Sequence, residues 1–288
     1  MRANPSARRV LLLPNRSRRE VAERLDELRS WLSEHATIVA EIDSEEGPIP
    51  TDIEADIAIA LGGDGTIIGQ ARRLLELRIP IVGVNFGRLG FLAEFDEESL
   101  RRQLAAILGE RPMVRERLVL LASIEEPGAA APRRIGIALN DCVIAAGRPF
   151  RMVELRLEVD GDEGPTISGD GLIVATPTGS TAHNVSAGGP IVHPDLEGIV
   201  ITANAAHSLA FRPIVTIADT VLRIHVVRAN AGSMLVLDGE ASAELAAGQV
   251  VTIRRHPLRA RFVANPEASY WRTLIEKLRW AAPPTYRT

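Results

Sequence analysis

The chain of 288 residues contains one cysteine, Cys142, so no intrachain disulfide can form. No Cys/His group stands at zinc-ligand spacing; a reducing compartment without a structural metal is the expectation. No run of about 18 apolar residues exists, which argues against a membrane-spanning helix. The opening Met1-Arg2-Ala3-Asn4-Pro5 carries charge but no apolar stretch with a small-residue cleavage site behind it, so a soluble cytoplasmic protein with no membrane partner is expected. Excess charge is missing too. A net charge of −4, with basic pairs such as Arg72-Arg73 and Arg101-Arg102 scattered along helices, gives no electrostatic face for DNA or RNA.

Hydrophobic residues are plentiful, at 46%, and a domain usually spans about 100 to 200 residues, so two packed domains are expected. Residues 9–14 and 37–42 read as buried strands, and residues 18–34 as an amphipathic helix with Val21, Leu25, Leu28 and Leu32 on one stripe. A strand after Asp56 with its helix, a strand at 79–84 and a helix at 97–108 continue the alternation. Residues 1–116 therefore read as an α/β domain, a Rossmann-like doubly wound parallel sheet. From Arg117 short alternating runs at 119–124, 134–139, 152–159 and 221–227, with turns at Asp160-Gly161-Asp162 and Asn230-Ala231-Gly232, predict a mainly β domain, a sandwich, over 117–265. Residues 266–288 form a C-terminal helix and tail, with Trp271, Leu274, Ile275 and Leu278 on a face that returns to the body.

The segment Leu61-Gly62-Gly63-Asp64-Gly65-Thr66 joins a buried strand to a helix. Open α/β sheets bind ligands at such carboxyl ends, and glycines let main-chain N–H groups approach anionic oxygens. A phosphate loop of the Walker type needs a lysine after its last glycine, and Thr66-Ile67-Ile68 supplies none. The same junction also serves simply to turn the chain and cap the helix. In the second half, Ser168-Gly169-Asp170-Gly171, Thr176-Pro177-Thr178-Gly179-Ser180-Thr181-Ala182-His183 and Ser186-Ala187-Gly188-Gly189-Pro190 interleave hydroxyls with glycines. That composition suits either turns of a sandwich or a surface that wraps a polar ligand.

Together with Asn85-Phe-Gly-Arg-Leu-Gly-Phe-Leu92, Asn140-Asp141, Leu209-Ala-Phe-Arg-Pro213, Asp238-Gly239-Glu240 and Trp271-Arg-Thr-Leu274, these segments resemble the NAD kinase family over nearly the whole chain. The glycine-Asp turn alone is shared with lipid kinases and phosphofructokinases; the order and spacing of the full set are more specific. The resemblance implies transfer of the γ-phosphoryl group of ATP to the adenosine 2′-hydroxyl of NAD, in a homodimer or homotetramer, with inorganic polyphosphate open as a second donor. Asp64 would accept the proton of the attacking hydroxyl. Gly62, Gly63, Gly65 and Thr66 would cradle phosphates, with Mg²⁺ or another divalent cation carried on the phosphates rather than in a protein cage.

By position, the resemblance places Asn140 and Asp141 on the adenosine ribose and adenine. Thr181, Ala182 and Ser186 line the same pocket, with His183, Asn184 and Val185 in the same segment; Phe86 either covers the adenine face or, as a lone aromatic after a strand more often does, packs into the core. Asp170, acceptor-only, would hold the nicotinamide carboxamide. His183 stands where Tyr is usual, Asp141 where Glu is commoner, Glu240 where Gln is usual and Ser168 where many relatives are basic; Arg151 occupies a position that contacts the dinucleotide in some. A lipid kinase or a non-catalytic dinucleotide sensor are the alternative readings. His35, His193, His207, His225 and His256 have no metal spacing.

Overall fold

The computed structural model describes residues 8–147, 152–208 and 210–280. They form two compact units, the described residues up to 116 with 260–280, and those between 117 and 259.

The sheet of the first unit runs in the order Thr37–Glu41, Arg9–Pro14, Ile57–Leu61, Ile81–Val84, Ala260–Val263, Val114–Arg117. The first five strands pair parallel. Helices cover both faces, as the two-residue period of the strands requires. Val10 and Leu12 join one cluster with Val21, Leu25, Leu28 and Leu32 of the helix Arg19–Ser33 and with Leu100, Leu104 and Ile107 of the helix Glu97–Ile107. Leu11, Leu13, Ala58 and Ala60 alternate with those strand residues and are equally buried. The helix Asp64–Leu74 packs on the sheet through Ile67, Ala71 and Leu74. Strands buried on both faces carry unbroken apolar runs such as Ile57-Ala-Ile-Ala-Leu61, the pattern of a central parallel strand.

The second unit consists of two six-stranded sheets in which neighbouring strands pair antiparallel. Alternate residues of both meet in one core, with Leu120, Ala122, Leu155, Leu157, Ile224 and Ile253 from one sheet against Cys142, Ile144, Leu172, Val174, Ile199 and Leu235 from the other. The strand Gly171–Ala175 is buried on both faces, because Val192 and Ala187 pack on the side of Ile173 and Ala175 that faces away from this core. The Asp160-Gly161 turn has positive φ at both residues, 53° and 90°, as a tight hairpin demands.

Two expectations differ from the structure. The boundary expected at 265 falls at Arg259, because Ala260–Val263 pairs with the strand Ile81–Val84 and so rejoins the first unit's sheet. In the C-terminal helix Tyr270–Leu278 only Leu274 is buried, while Trp271 and Ile275 are 57% and 51% exposed. A helix of nine residues touches its support along one line, and Trp271 packs against Tyr270 and Trp280 rather than into the core.

Candidate active site

In the first unit, Gly63 ends the strand-to-helix turn in an extended conformation and Asp64 opens the helix. A Cβ at Gly62 would lie 2.6 Å from the hydroxyl oxygen of Thr66, so the turn closes on itself only with glycine there. Asn15 steadies Thr66 by donating its side-chain amide to that oxygen at 2.9 Å. Gly65 has open space around it.

The Asp64 carboxylate is held by main chain. Phe91 donates its N–H to Oδ2 at 3.0 Å, and Leu92 and Ala93 donate theirs to Oδ1 at 3.1 and 3.0 Å. A carboxylate has about four acceptor positions, and three are taken here. One position on Oδ2 is left for a further donor.

The loop that supplies these donors leaves the sheet at Val84 and returns beside it at Phe95, which is fully buried. Asn85 pins its start by accepting from the Gly87 N–H at 3.1 Å and donating to the Arg88 carbonyl at 2.6 Å. The ring of Phe91 packs 6.1 Å from that of Tyr270 in the C-terminal helix. Arg18, read from sequence only as the start of a helix, lays its guanidinium against Gly63, with Nη1 3.2 Å from where a Cβ would stand.

Phe86 takes the core place that the sequence left open for it. It packs against the first unit's core with the Arg24 guanidinium 5.4 Å from its ring centre, in a cleft of about 450 Å³ shared with Glu97 and Arg101. Phe91, five positions on, reaches Asp64 through its amide; nothing in its residue type announced this.

In the second unit the candidate residues gather around the start of the strand Asp141–Ala145. Asp141 is fully buried, and Nδ1 of His183 lies 3.1 and 3.2 Å from its two oxygens. Against an ionised carboxylate that nitrogen is the donor. Burial pushes the Asp141 carboxyl above its ordinary range; the neighbouring Asp238 charge adds to this and His183 opposes it. Asp238 accepts three main-chain N–H groups, from Leu139 at 2.8 Å, Asn140 at 2.7 Å and Asp141 at 3.1 Å.

The segment 178–186 follows the strand Gly171–Ala175 as a 3-10 turn, Thr178–Thr181, and a single helical turn, His183–Ser186. A Cβ at Gly179 would meet the Asn140 carbonyl oxygen at 2.0 Å. Thr181, Ala182 and Val185 are half-buried, and His183 and Ser186 are exposed. Asn184 is fully buried, and its side chain is engaged inside the protein. It donates to the carbonyls of Ser180 and Pro190 at 3.0 and 2.9 Å and accepts from Thr202 at 2.7 Å. The Asn184 side chain thus pins this turn from within.

Gly169 and Gly171 flank Asp170 because a Cβ at either would stand 2.9 and 2.0 Å from the carbonyls of Ala205 and Ile144. The Asp170 main chain is bonded on both sides, its N–H to Asn204 and its carbonyl to Ala146. Ser168 is part of the strand Asp162–Gly169, and Glu240 is exposed at the start of the strand Glu240–Glu244. Arg151 lies outside the described residues. Among the described residues no three His, Cys, Asp or Glu side chains are grouped to hold a metal ion, and no helix is long and apolar enough to cross a membrane.

Comparison with known proteins gives a consistent result. The family model described as the ATP-NAD kinase N-terminal domain matches residues 18–111, and that of the ATP-NAD kinase C-terminal domain matches residues 139–265. The NAD kinase of Geobacter metallireducens is 43% identical over 227 residues, covering 78% of this chain and 79% of that protein. The NAD kinase of Geobacter sulfurreducens is 39% identical over 264 residues, covering 88% and 92%. Among solved structures, an NAD kinase from Archaeoglobus fulgidus in complex with ATP superposes with a TM-score of 0.73 at 28% identity, over 94% of this chain and 98% of that one. Yeast NADH kinase complexed with NADH shares the fold, with a TM-score of 0.85 at 22% identity over 99% and 91% of the two chains.

Proposed function

The chain belongs to the NAD kinase family, and from that premise we propose that Asp64 is the general base in transfer of the γ-phosphoryl group of ATP to the 2′-hydroxyl of the adenosine ribose of NAD. The products are NADP and ADP. The observation that carries the assignment is the carboxylate's bonding: three amides orient it and one acceptor position remains on Oδ2. As the ribose oxygen bonds to phosphorus and the bond to the ADP oxygen breaks, the hydroxyl proton passes to that position, a contribution of about 10² to 10⁴ in rate.

The remaining catalysis is positioning and charge stabilisation. The glycine turn offers the N–H groups of a helix start to phosphate oxygens, and Arg18 adds a fixed positive charge beside Gly63. A divalent cation, Mg²⁺ in the first instance, fits this donor set only as a passenger on the phosphates, where it supplies charge neutralisation; Asp64 has too little free capacity to cage it.

Asn140, Asp141, Thr181, Ala182, Ser186 and the His183 ring hold adenosine, and Asp170 accepts from the nicotinamide amide. No hydrogen bond of the Asp170 carboxylate is made among the described residues, which supports that use. The protein acts in the cytoplasm as a homodimer or homotetramer. The outer strand Ile214–Ile217, with Ile214 53% and Ile217 66% exposed, supports an assembly surface. ATP is the donor, with polyphosphate as a second donor to assay.

The test is NADP formation from NAD, ATP and Mg²⁺ by the wild type and by Asp64→Asn, with diacylglycerol as control acceptor. NADP from the wild type and almost none from a folded, NAD-binding Asp64→Asn is the expected result. Equal rates would reject Asp64 as the base, and lipid phosphorylation would reject the acceptor.

A further inference from the structure

Three successive N–H groups of an extended chain point to alternate sides, so no neighbouring strand can accept all three. Those of Leu139, Asn140 and Asp141 nevertheless converge on one acceptor, the Asp238 carboxylate, with Asn140 and Asp141 on Oδ1 and Leu139 on Oδ2. The chain is therefore bent between the strands Arg133–Ala138 and Asp141–Ala145. An anion fills the concave side of the bend, as anions do in main-chain nests.

The other main-chain groups of the bend are also engaged. Thr176, itself fully buried, donates its hydroxyl to the Leu139 carbonyl at 2.6 Å and its N–H to the Asn140 carbonyl at 2.8 Å. The Asp141 carbonyl accepts from the Asp238 N–H at 3.0 Å. Asp238 reaches this arrangement with φ of 50°, followed by Gly239 at 85°. That left-handed pair costs an Asp residue free energy which its three charge-assisted bonds offset.

We infer that Asp238 is a positioning residue of the acceptor site: by folding the main chain of 139–141 around its carboxylate it aims the side chains of Asn140 and Asp141, and so sets the affinity for the adenosine end of the dinucleotide. The inference rests on the reading above that Asn140 and Asp141 hold that end. It explains why the Asp-Gly turn after the strand Met234–Leu237 belongs to the site although it need touch no ligand. It also adds an electrostatic consequence. The groups facing the Asp141 carboxylate are the His183 imidazole and Asp238, with the buried Cys142 next in its own strand. The Asp238 charge pushes Asp141 in the same direction as burial does.

The experiment compares Asp238→Asn, Asp238→Glu and Asn140→Ala in the full chain, reading NAD affinity by calorimetry, KM for NAD and for ATP, kcat, melting temperature and the pH profile of NAD affinity. Asn presents one acceptor oxygen and no charge. Asp238→Asn is expected to weaken NAD binding about tenfold or more, the equivalent of one charge-assisted hydrogen bond. The KM for ATP should change far less, and the acidic limb of the profile should move to lower pH. A loss of packing alone would not move that limb. Asp238→Glu keeps the charge but displaces the oxygens, so it should weaken NAD with the limb unmoved, and it carries the test if Asp238→Asn does not fold. NAD affinity unchanged in either folded variant, or NAD and ATP affected equally with the limb in place, overturns the inference. If Asn140→Ala binds NAD normally, the underlying reading of the site fails and the inference with it. If Asn140→Ala loses NAD and Asp238→Asn does not, only the inference fails.

Discussion

A methyl group on Gly90 would stand 1.9 Å from Oδ1 of Asp64. The loop that hydrogen-bonds the carboxylate thus also passes against it, and this contact is open only to a residue without a side chain. Gly90→Ala must push the carboxylate and its three amides apart. Misplacement of a reacting group by about 1 Å costs roughly 10² in rate. We expect kcat to fall by about that factor with NAD affinity retained; measured kcat within twofold of wild type would show that Asp64 does not need this loop.

Arg18 lies against the glycine turn, whereas Arg9, Arg16, Arg19, Arg24, Arg29, Arg101 and Arg102 of the same unit are each paired with a carboxylate. Arg18→Ala should raise the KM for ATP about tenfold and flatten its dependence on salt, leaving the KM for NAD near wild type. An unchanged KM for ATP would exclude Arg18 from phosphate binding.

Asp141 is a buried carboxyl pushed above its ordinary range, first by desolvation. The native state favours its protonated form more than the unfolded chain does, so the stability it contributes is fully present below the unfolded carboxylate pKa and is lost as pH rises through the raised native one. Asp141→Asn removes the charge that burial penalises. Its melting temperature should exceed that of the wild type at neutral pH and converge with it in acid, while NAD affinity falls. A lower melting temperature at neutral pH would mean that the His183 contact outweighs desolvation.

Ile217 is exposed on an edge strand of the second unit. Ile217→Lys should cost little folding stability, since the side chain is not packed, and should shift sedimentation toward smaller species if this edge is where copies meet. Unchanged sedimentation would move the assembly surface elsewhere.

Periodic elements were legible in the sequence. The strand Arg9–Pro14 and the stripe of Val21, Leu25, Leu28 and Leu32 stand where apolar spacing put them, because burial of alternate or helical positions is written in residue type. The glycine-Asp turn was legible for the same reason. What was hidden depends on main chain or on distant pairing. The amides of 91–93 that hold Asp64 have no residue signature, and neither do the amides of 139–141 that hold Asp238. The strand Ala260–Val263 was assigned to the wrong unit because its partner, Ile81–Val84, is far upstream. The partners of the Asn184 side chain, Ser180, Pro190 and Thr202, are likewise fixed by the fold and not by residue type.

The late return of the chain at Ala260 governs the order in which the protein can be made. When the ribosome has released the first 116 residues, their sheet still lacks the strand between Ile81–Val84 and Val114–Arg117. The second unit, contiguous from 117 to 259, has all its strands before that gap is filled. During synthesis the segment bearing Asp64 waits with an open sheet edge, and nascent chains stalled before Ala260 should present it to proteases and chaperones.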